Sequence, residues 1–136
     1  MIASAQDFVR FRNSELAEEQ HRATHDDAPE SVWRAVIEEF PDMREWVAHN
    51  KTVPVEILEV LSRDPDSRVR HAVAMKRKIP EEMQLVLAGD SDESVRQRIA
   101  YNAKATKRVL QILATDCESR VRERAAKRLK EGDYVA

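Results

Sequence analysis

The sequence predicts an all-α protein, a short right-handed α-solenoid of about four to five two-helix units, from three observations. Segments in the second half of the chain repeat at a spacing of 26 residues. Apolar residues within each segment recur at helical spacing rather than in alternation. The composition favours helix over strand, because aromatic residues make up 5% of the chain and glycine occurs only twice.

The repeat is clearest in three segments that align without a gap and begin at Asp64, Asp90 and Asp116. One period earlier the pattern is weaker, and the N-terminal residues match it least, as expected of a capping unit. The predicted organisation is a single domain over residues 1–136: a degenerate capping repeat at 1–37, repeats at 38–63, 64–89 and 90–115, and a C-terminal half repeat and tail at 116–136.

Each unit is predicted to contain two short helices, A and B. Helix A is expected to begin at the repeated aspartate, a favourable N-cap, and Asp90 with Glu93 has the spacing of a capping box. At about nine residues it is expected to be partly 3₁₀. Helix B is expected to begin near Pro54, Pro80 and Thr106. The residues expected to face inward are Val69, Ala72 and Val73 on helix A, and Ile57, Val60 and Leu61, Met83, Val86 and Leu87, and Val109, Ile112 and Leu113 on helix B.

The two ends are expected to differ from the interior. Near the N-terminus, Ala5 to Phe11 is predicted to form a short helix that presents Phe8 and Phe11. At the other end a helix is expected to stop before Gly132, and the tail Asp133–Ala136 is expected to be loose.

A column of arginines stays cationic beside the repeated aspartates. We favour an Arg–Asp ladder that connects successive repeats, because a charged residue that recurs in every repeat is usually required by the way the repeats stack. A row of arginines that binds phosphate is the alternative. The ladder residues are Arg44, Arg70, Arg96 and Arg122 with Asp64, Asp90 and Asp116.

The run DPDSRVRHAVAMKRKIPEEMQLVLA, which begins at Asp64, resembles the leucine-rich repeat variant family, whose short repeats are HEAT-like in style. The resemblance covers roughly residues 38–130 and implies a superhelix that alternates short α- and 3₁₀-helices. It implies no single activity. The founding member of the family is associated with a cysteine-bound iron–sulfur cluster, and since Cys117 is the only cysteine here, no cluster is expected.

Few side chains in the sequence point to chemistry, so no catalytic residue, cofactor or metal is expected. His21 and His25 have an i, i+4 spacing that could bind a metal, but the residues between them lack the glutamate of a zinc-protease motif. A solvated helix face is the favoured interpretation of this pair. No histidine lies near Cys117 in the sequence, which argues against a nucleophilic role.

The net charge of −2 is unevenly distributed: residues 1–60 contain 6 Lys/Arg and 13 Asp/Glu, whereas residues 61–136 contain 17 and 12. The sequence shows no signal peptide and no membrane span, so a cytoplasmic location is expected. We expect a non-catalytic module that binds another macromolecule, with a protein as the favoured partner, as for immunity or inhibitor proteins. The basic second half makes nucleic acid the alternative partner.

A protein partner is predicted to bind the outer side of helix A. Met75 and Tyr101 occupy corresponding positions there. Their side chains are apolar or amphipathic, although this side of the helix is expected to face solvent. Basic residues of the following loop border them, and the outer face of helix B is the alternative surface. The candidate partner-binding residues are His49, His71, Met75, Lys78 and Tyr101.

Overall fold

The computed structural model describes residues 1–136 and confirms an all-helical protein with ten α-helices, one 3₁₀-helix and no strand. None of the helices combines the length and the apolar character that crossing a membrane requires. The α-helices are α1 (Ala5–Asn13), α2 (Ala17–His25), α3 (Glu30–Glu39), α4 (Arg44–His49), α5 (Val55–Leu61), α6 (Ser67–Ala74), α7 (Glu81–Ala88), α8 (Glu93–Tyr101), α9 (Lys107–Leu113) and α10 (Ser119–Glu131), and the 3₁₀-helix is Pro41–Met43.

The chain forms two compact units, and the first, Met1–Leu61, contains α1 to α5. Its core is centred on Phe8 and Trp33, which are fully buried and meet edge to face with ring centroids 5.3 Å apart. Phe11 is buried beside them on the same helix, so the prediction that α1 presents two phenylalanines is confirmed. This unit depends on aromatic packing, since large rings bury more apolar surface than the aliphatic side chains of a short helix.

The second unit, Ser62–Ala136, contains α6 to α10. In this unit α6 packs on α8, α8 on α10, and α7 on α9. All five helices are α-helical, so the alternation with 3₁₀-helices that the resemblance implies is not present here. Seven or more residues per helix leave room for i→i+4 hydrogen bonds. The valines at corresponding positions of α6, α8 and α10 are buried: Val69, Val95 and Val121.

Each helix A in the second compact unit begins two residues later than predicted. Asp66 is the N-cap of α6, and its carboxylate accepts the main-chain N–H of Arg68 at 2.9 Å. Asp64 instead accepts the N–H of Asp66, which closes a turn ahead of the helix. The equivalent N-cap of α8 is Asp92. The predicted N-cap role of the repeated aspartate is therefore wrong, because this turn uses its carboxylate first.

Helix B begins where the sequence predicts, after Pro54, Pro80 and Thr106. In each helix B, the second of the three residues predicted to face inward is nevertheless exposed. The residue that directly follows the first of the three is buried instead. α7 contacts both α8 and α9, so its buried arc is rotated away from the one that periodicity alone predicts. The exposed residues are Val60, Val86 and Ile112, and the buried replacements are Leu58, Gln84 and Leu110.

The C-terminal tail is attached to the second unit rather than loose. α10 ends at Glu131, as predicted, and Gly132 adopts a left-handed conformation with φ of 70°. The N–H of Val135 then donates to the main-chain oxygen of Ala105 at 3.0 Å, and its own oxygen accepts from the N–H of Lys107 at 2.9 Å. The loose tail was a wrong prediction, because the start of α9 offers backbone groups that the tail can pair with.

Candidate partner-binding site

Two arginines of the predicted ladder make equivalent contacts 26 residues apart. Arg70 Nε donates to Asp90 Oδ2 at 2.8 Å, and its Nη1 donates to the main-chain oxygen of Asp64 at 2.7 Å. Arg96 Nε donates to Asp116 Oδ2 at 2.8 Å, and its Nη1 reaches the main-chain oxygen of Asp90 at 2.8 Å. Since these donors are occupied inside the chain, both arginines are poorly placed to bind an external phosphate.

The carboxylate contacts of this ladder affect the titration of its members. The hydrogen bond from each arginine to its aspartate is the largest cause that raises the pKa of Arg70 and of Arg96. Burial acts to raise the pKa of Asp116, but hydrogen bonds from Arg96 and from the N–H of Glu118 outweigh it and hold the pKa of this carboxyl below its usual range. The pair is therefore charged under neutral conditions.

The other two arginines of the column also donate to main-chain oxygens. Arg122 Nη1 donates only to main-chain oxygens, those of Asp116 at 2.9 Å and Cys117 at 3.4 Å. Arg44 lies in the first unit, where its Nε donates to the main-chain oxygen of Ile37 at 2.8 Å. These hydrogen bonds are structural contacts, to the last turn of α3 and to the turn before α10, and Arg122 does not make the carboxylate contact that the predicted ladder requires.

The structure shows a second polar column that was not predicted from the sequence. Asn102 is buried, and its Nδ2 donates to the main-chain oxygens of Ala74 and Lys76, both at 2.8 Å. One period later Arg128 is only 2% exposed, and its Nη1 donates to the main-chain oxygens of Ala100 and Asn102. The sequence did contain a signal for this column, because the equivalent position of each repeat is polar: positions 50, 76, 102 and 128 are Asn, Lys, Asn and Arg.

An open groove lies between the outer sides of α8 and α10. Tyr101 is 45% exposed, and the guanidinium carbon of Arg124 lies 4.4 Å from the centre of its ring. Arg124 Nε is buried with no hydrogen-bond partner, so the cation–π contact is what holds this guanidinium in place. The residues that line the groove are Gln97, Tyr101, Arg120, Glu123, Arg124 and Lys127.

Four of the five predicted partner-binding residues lie in the second unit. Met75 is the C-cap of α6 and is 42% exposed, and it corresponds to Tyr101 at the end of the adjacent helix α8. Lys78 is exposed and His71 is partly exposed. The groove residues do not include Met75, His71 or Lys78. The charged border of Tyr101 is therefore supplied by α10, not by the loop after α6 as the sequence predicts.

The α10 residues of the groove carried a sequence signal that the repeat pattern obscured. Arg120, Arg124 and Lys127 follow i, i+4, i+7 spacing and therefore share one face of the helix. When only equivalent positions of the repeats are compared, these cations are what the polar outer face of a terminal repeat predicts. The structure brings this face next to Tyr101, a residue of the preceding repeat.

His49, the fifth predicted residue, lies in the first unit. Its ring centroid is 5.6 Å from that of Trp46, and its Nε2 is 3.8 Å from the carboxylate of Glu45. Arg12 stacks on Trp46 with its guanidinium carbon 3.4 Å from the ring centre. A small cavity in this region is lined by Arg12, Gln20, Ala23, Thr24, Trp46 and His49. His49 thus belongs to an aromatic cluster of its own unit.

The histidine pair of α2 has a geometry of its own. The rings of His21 and His25 are stacked with centroids 3.8 Å apart, and His25 Nδ1 is 3.0 Å from the main-chain oxygen of His21. No group of three or more His, Cys, Asp or Glu side chains is placed so that it could hold a metal ion. Cys117 is exposed and unpaired with another cysteine.

The chain matches no protein-family model, no curated protein and no solved structure. Two features of the second unit bear on its function. One is the set of internal contacts that use Arg70, Arg96 and Arg128. The other is the exposed groove around Tyr101.

Proposed function

We propose that this protein is a non-catalytic binding module for a protein partner, built as a short right-handed α-solenoid with a 26-residue period. The equivalent hydrogen bonds of Arg70 and Arg96 at that spacing support the proposed period. The serial packing of α6 on α8 and of α8 on α10 fits stacked two-helix units.

The observation that carries the proposed binding function is the exposed Tyr101 ring under the Arg124 guanidinium. Tyrosine and arginine are enriched at the centres of protein interfaces, because each combines a large contact surface with directed polar groups. Met75 adds an exposed apolar side chain at the equivalent position of α6. We therefore assign the partner surface to the outer sides of α6, α8 and α10.

A capture experiment with two matched double variants tests this assignment. Met75→Ala with Tyr101→Ala removes the proposed centre, and Val86→Ala with Ile112→Ala removes a comparable exposed apolar pair on α7 and α9. Both variants should keep the wild-type circular dichroism spectrum, because all four side chains face solvent. Captured proteins are identified by mass spectrometry after mild cross-linking to the wild type and to each variant.

The expected result is that a specific protein partner is captured by the wild type and by the Val86/Ile112 variant, and is lost with the Met75/Tyr101 variant. Loss with the Val86/Ile112 variant alone would move the site to the outer face of helix B. Enrichment of no protein above a tag-only control would contradict the proposed function itself.

Nucleic acid is the second candidate partner, because the groove places three cations around an exposed aromatic ring. Single strands are bound in this way, by aromatic stacking combined with phosphate neutralisation. The net charge of −2 opposes high affinity, so we expect binding only at low salt. A mobility shift that persists at about 0.2 M salt and depends on sequence would favour this candidate over a protein partner.

A further inference from the structure

The outer face of α10 departs from what helix physics favours. Arg120 lies in the first turn, where the helix dipole is positive, and this turn contains no acidic residue. Arg124 and Lys127 continue the same face at i+4 and i+7. Like charges at this spacing repel each other and destabilise an isolated helix. The arrangement therefore lowers the stability of α10 unless another group compensates the charge.

Other arginines of α10 do have such compensation within the chain. Arg128 is buried and bound to main-chain oxygens, and its Nε also donates to the carboxylate of Asp133 at 3.1 Å. By contrast Arg120, Arg124 and Lys127 form no ion pair with any residue of the chain. Glu123, four residues before Lys127 on the same face, compensates this repulsion only in part, since it is one carboxylate among three cations. A local penalty that the fold compensates only in part is expected at a functional surface, where the remaining compensating group belongs to a partner.

We propose that the groove between α8 and α10 binds an acidic segment of a protein partner. Its carboxylates would contact Arg120, Arg124 and Lys127, and an apolar side chain would pack on the Tyr101 ring. The groove is complementary in charge to such a segment, since it has three cations and a single carboxylate, Glu123. The proposal rests on the proposed protein-binding function and specifies the chemistry of the partner.

The same geometry favours a peptide over a nucleic acid. Sequence-tolerant binding of single strands uses a run of aromatic platforms along a continuous cationic track. This groove contains one aromatic ring, and its three cations all lie on α10 rather than along a continuous track.

Fluorescence anisotropy tests the proposal with a labelled peptide of about twelve residues in which Glu and Asp alternate with Leu. Lys127→Glu should weaken binding at least tenfold, because the substitution replaces an attraction to the acidic peptide with a like-charge repulsion. Lys130→Glu is the matched control: it makes the same charge change on the same helix, outside the groove, and should change affinity by no more than about twofold. Thermal melts check that both variants remain folded.

Glu123→Gln provides a test in the opposite direction. Removing the only carboxylate of the groove should tighten peptide binding by about two- to fivefold, in keeping with the strength of exposed charge pairs. A side chain with a purely structural role would not produce tighter binding when its charge is removed. Unchanged or weaker binding by this variant would contradict a role of the groove in recognising carboxylates.

Three further outcomes would overturn the inference. Equal weakening by Lys127→Glu and Lys130→Glu would mean that the peptide responds only to overall charge. Tighter binding of a labelled oligothymidylate, with the same dependence on Lys127, would assign the groove to nucleic acid. If a captured protein partner depends on Met75 and Tyr101 but is not displaced by the acidic peptide, the inference fails while the proposed function stands.

Discussion

Arg96 joins two turns of the second unit by binding Asp116 and the backbone of Asp90 at the same time. Its Nε and Nη2 contact Asp116 Oδ2 and Oδ1 at 2.8 and 3.4 Å, and its Nη1 donates to the Asp90 oxygen at 2.8 Å. The two turns lie immediately before α8 and α10. A single guanidinium therefore fixes the spacing between successive helices, because its planar fork presents several donors in fixed directions.

We predict that Arg96→Ala lowers the free energy of unfolding by about 1–3 kcal/mol, because it leaves the mostly buried Asp116 carboxylate without its partner. Urea denaturation followed by circular dichroism measures the change. Arg122→Ala is the matched control and should cost less than about 0.5 kcal/mol, since Arg122 is exposed and contacts no carboxylate. Equal losses in the two variants would show that the ion pair is not the source of the stability.

The lowered pKa of Asp116 predicts a dependence of stability on acid. A carboxyl whose folded pKa lies below its unfolded value of about 3.9 contributes stability above that pH, and this contribution is lost as the pH falls through the folded pKa. We therefore expect the free energy of unfolding to decrease as the pH is lowered below about 4. Asp116→Asn should be less stable at neutral pH but should show a shallower decline on acidification. Parallel pH profiles of the two proteins, from urea denaturation, would contradict this assignment.

Asn102 is predicted to be a main contributor to the packing of α8 on α6. Asn102→Ala removes two hydrogen bonds and leaves the main-chain oxygens of Ala74 and Lys76 without this donor, which should cost about 1–3 kcal/mol. Gln111→Ala, an exposed change on α9, is the control and should cost less than about 0.5 kcal/mol. Chemical denaturation of both variants decides the point. A loss below that of the control would mean that solvent replaces the amide contacts.

The attached tail is predicted to stabilise the start of α9. Val135→Pro removes the N–H that donates to Ala105, so the backbone pairing should be lost at a cost of about 1 kcal/mol. Hydrogen exchange at the Lys107 amide, which donates to the Val135 oxygen, should become faster. Deletion of Ala136 alone should leave exchange unchanged. Slow exchange at Lys107 in the proline variant would indicate that the tail does not protect this backbone.

We predict that the His21–His25 pair does not bind a metal ion, so the purified protein should contain no stoichiometric metal. The two rings are stacked rather than directed at a common point, and no third ligand is positioned with them. Elemental analysis of protein purified without chelator measures the metal content. About one equivalent of zinc that disappears in His25→Ala would overturn the prediction.

Helix starts were predictable where a local residue sets them, and less so where two residues compete. Thr106 was expected to start a helix, and its hydroxyl does cap α9 by accepting the N–H of Val109. At the repeated aspartates two carboxylates lie two residues apart, and sequence could not show that Asp64 closes a turn while Asp66 caps α6. The rotation of helix B was missed for a related reason. Around the helix axis, Gln84 and Val86 lie on opposite sides of the buried Met83, and helical spacing alone does not show which of the two is buried.

The sequence by itself determined the all-helical class, the buried valine column and the stop at Gly132, because these depend on propensity and spacing within a few residues. It also indicated that Tyr101 would be exposed. Only the tertiary structure decided which cations of α10 are bound internally, since Arg128 reaches oxygens 26 and 28 residues earlier in the chain. It likewise decided that Arg124 meets Tyr101, because contacts between separate helices depend on how those helices pack.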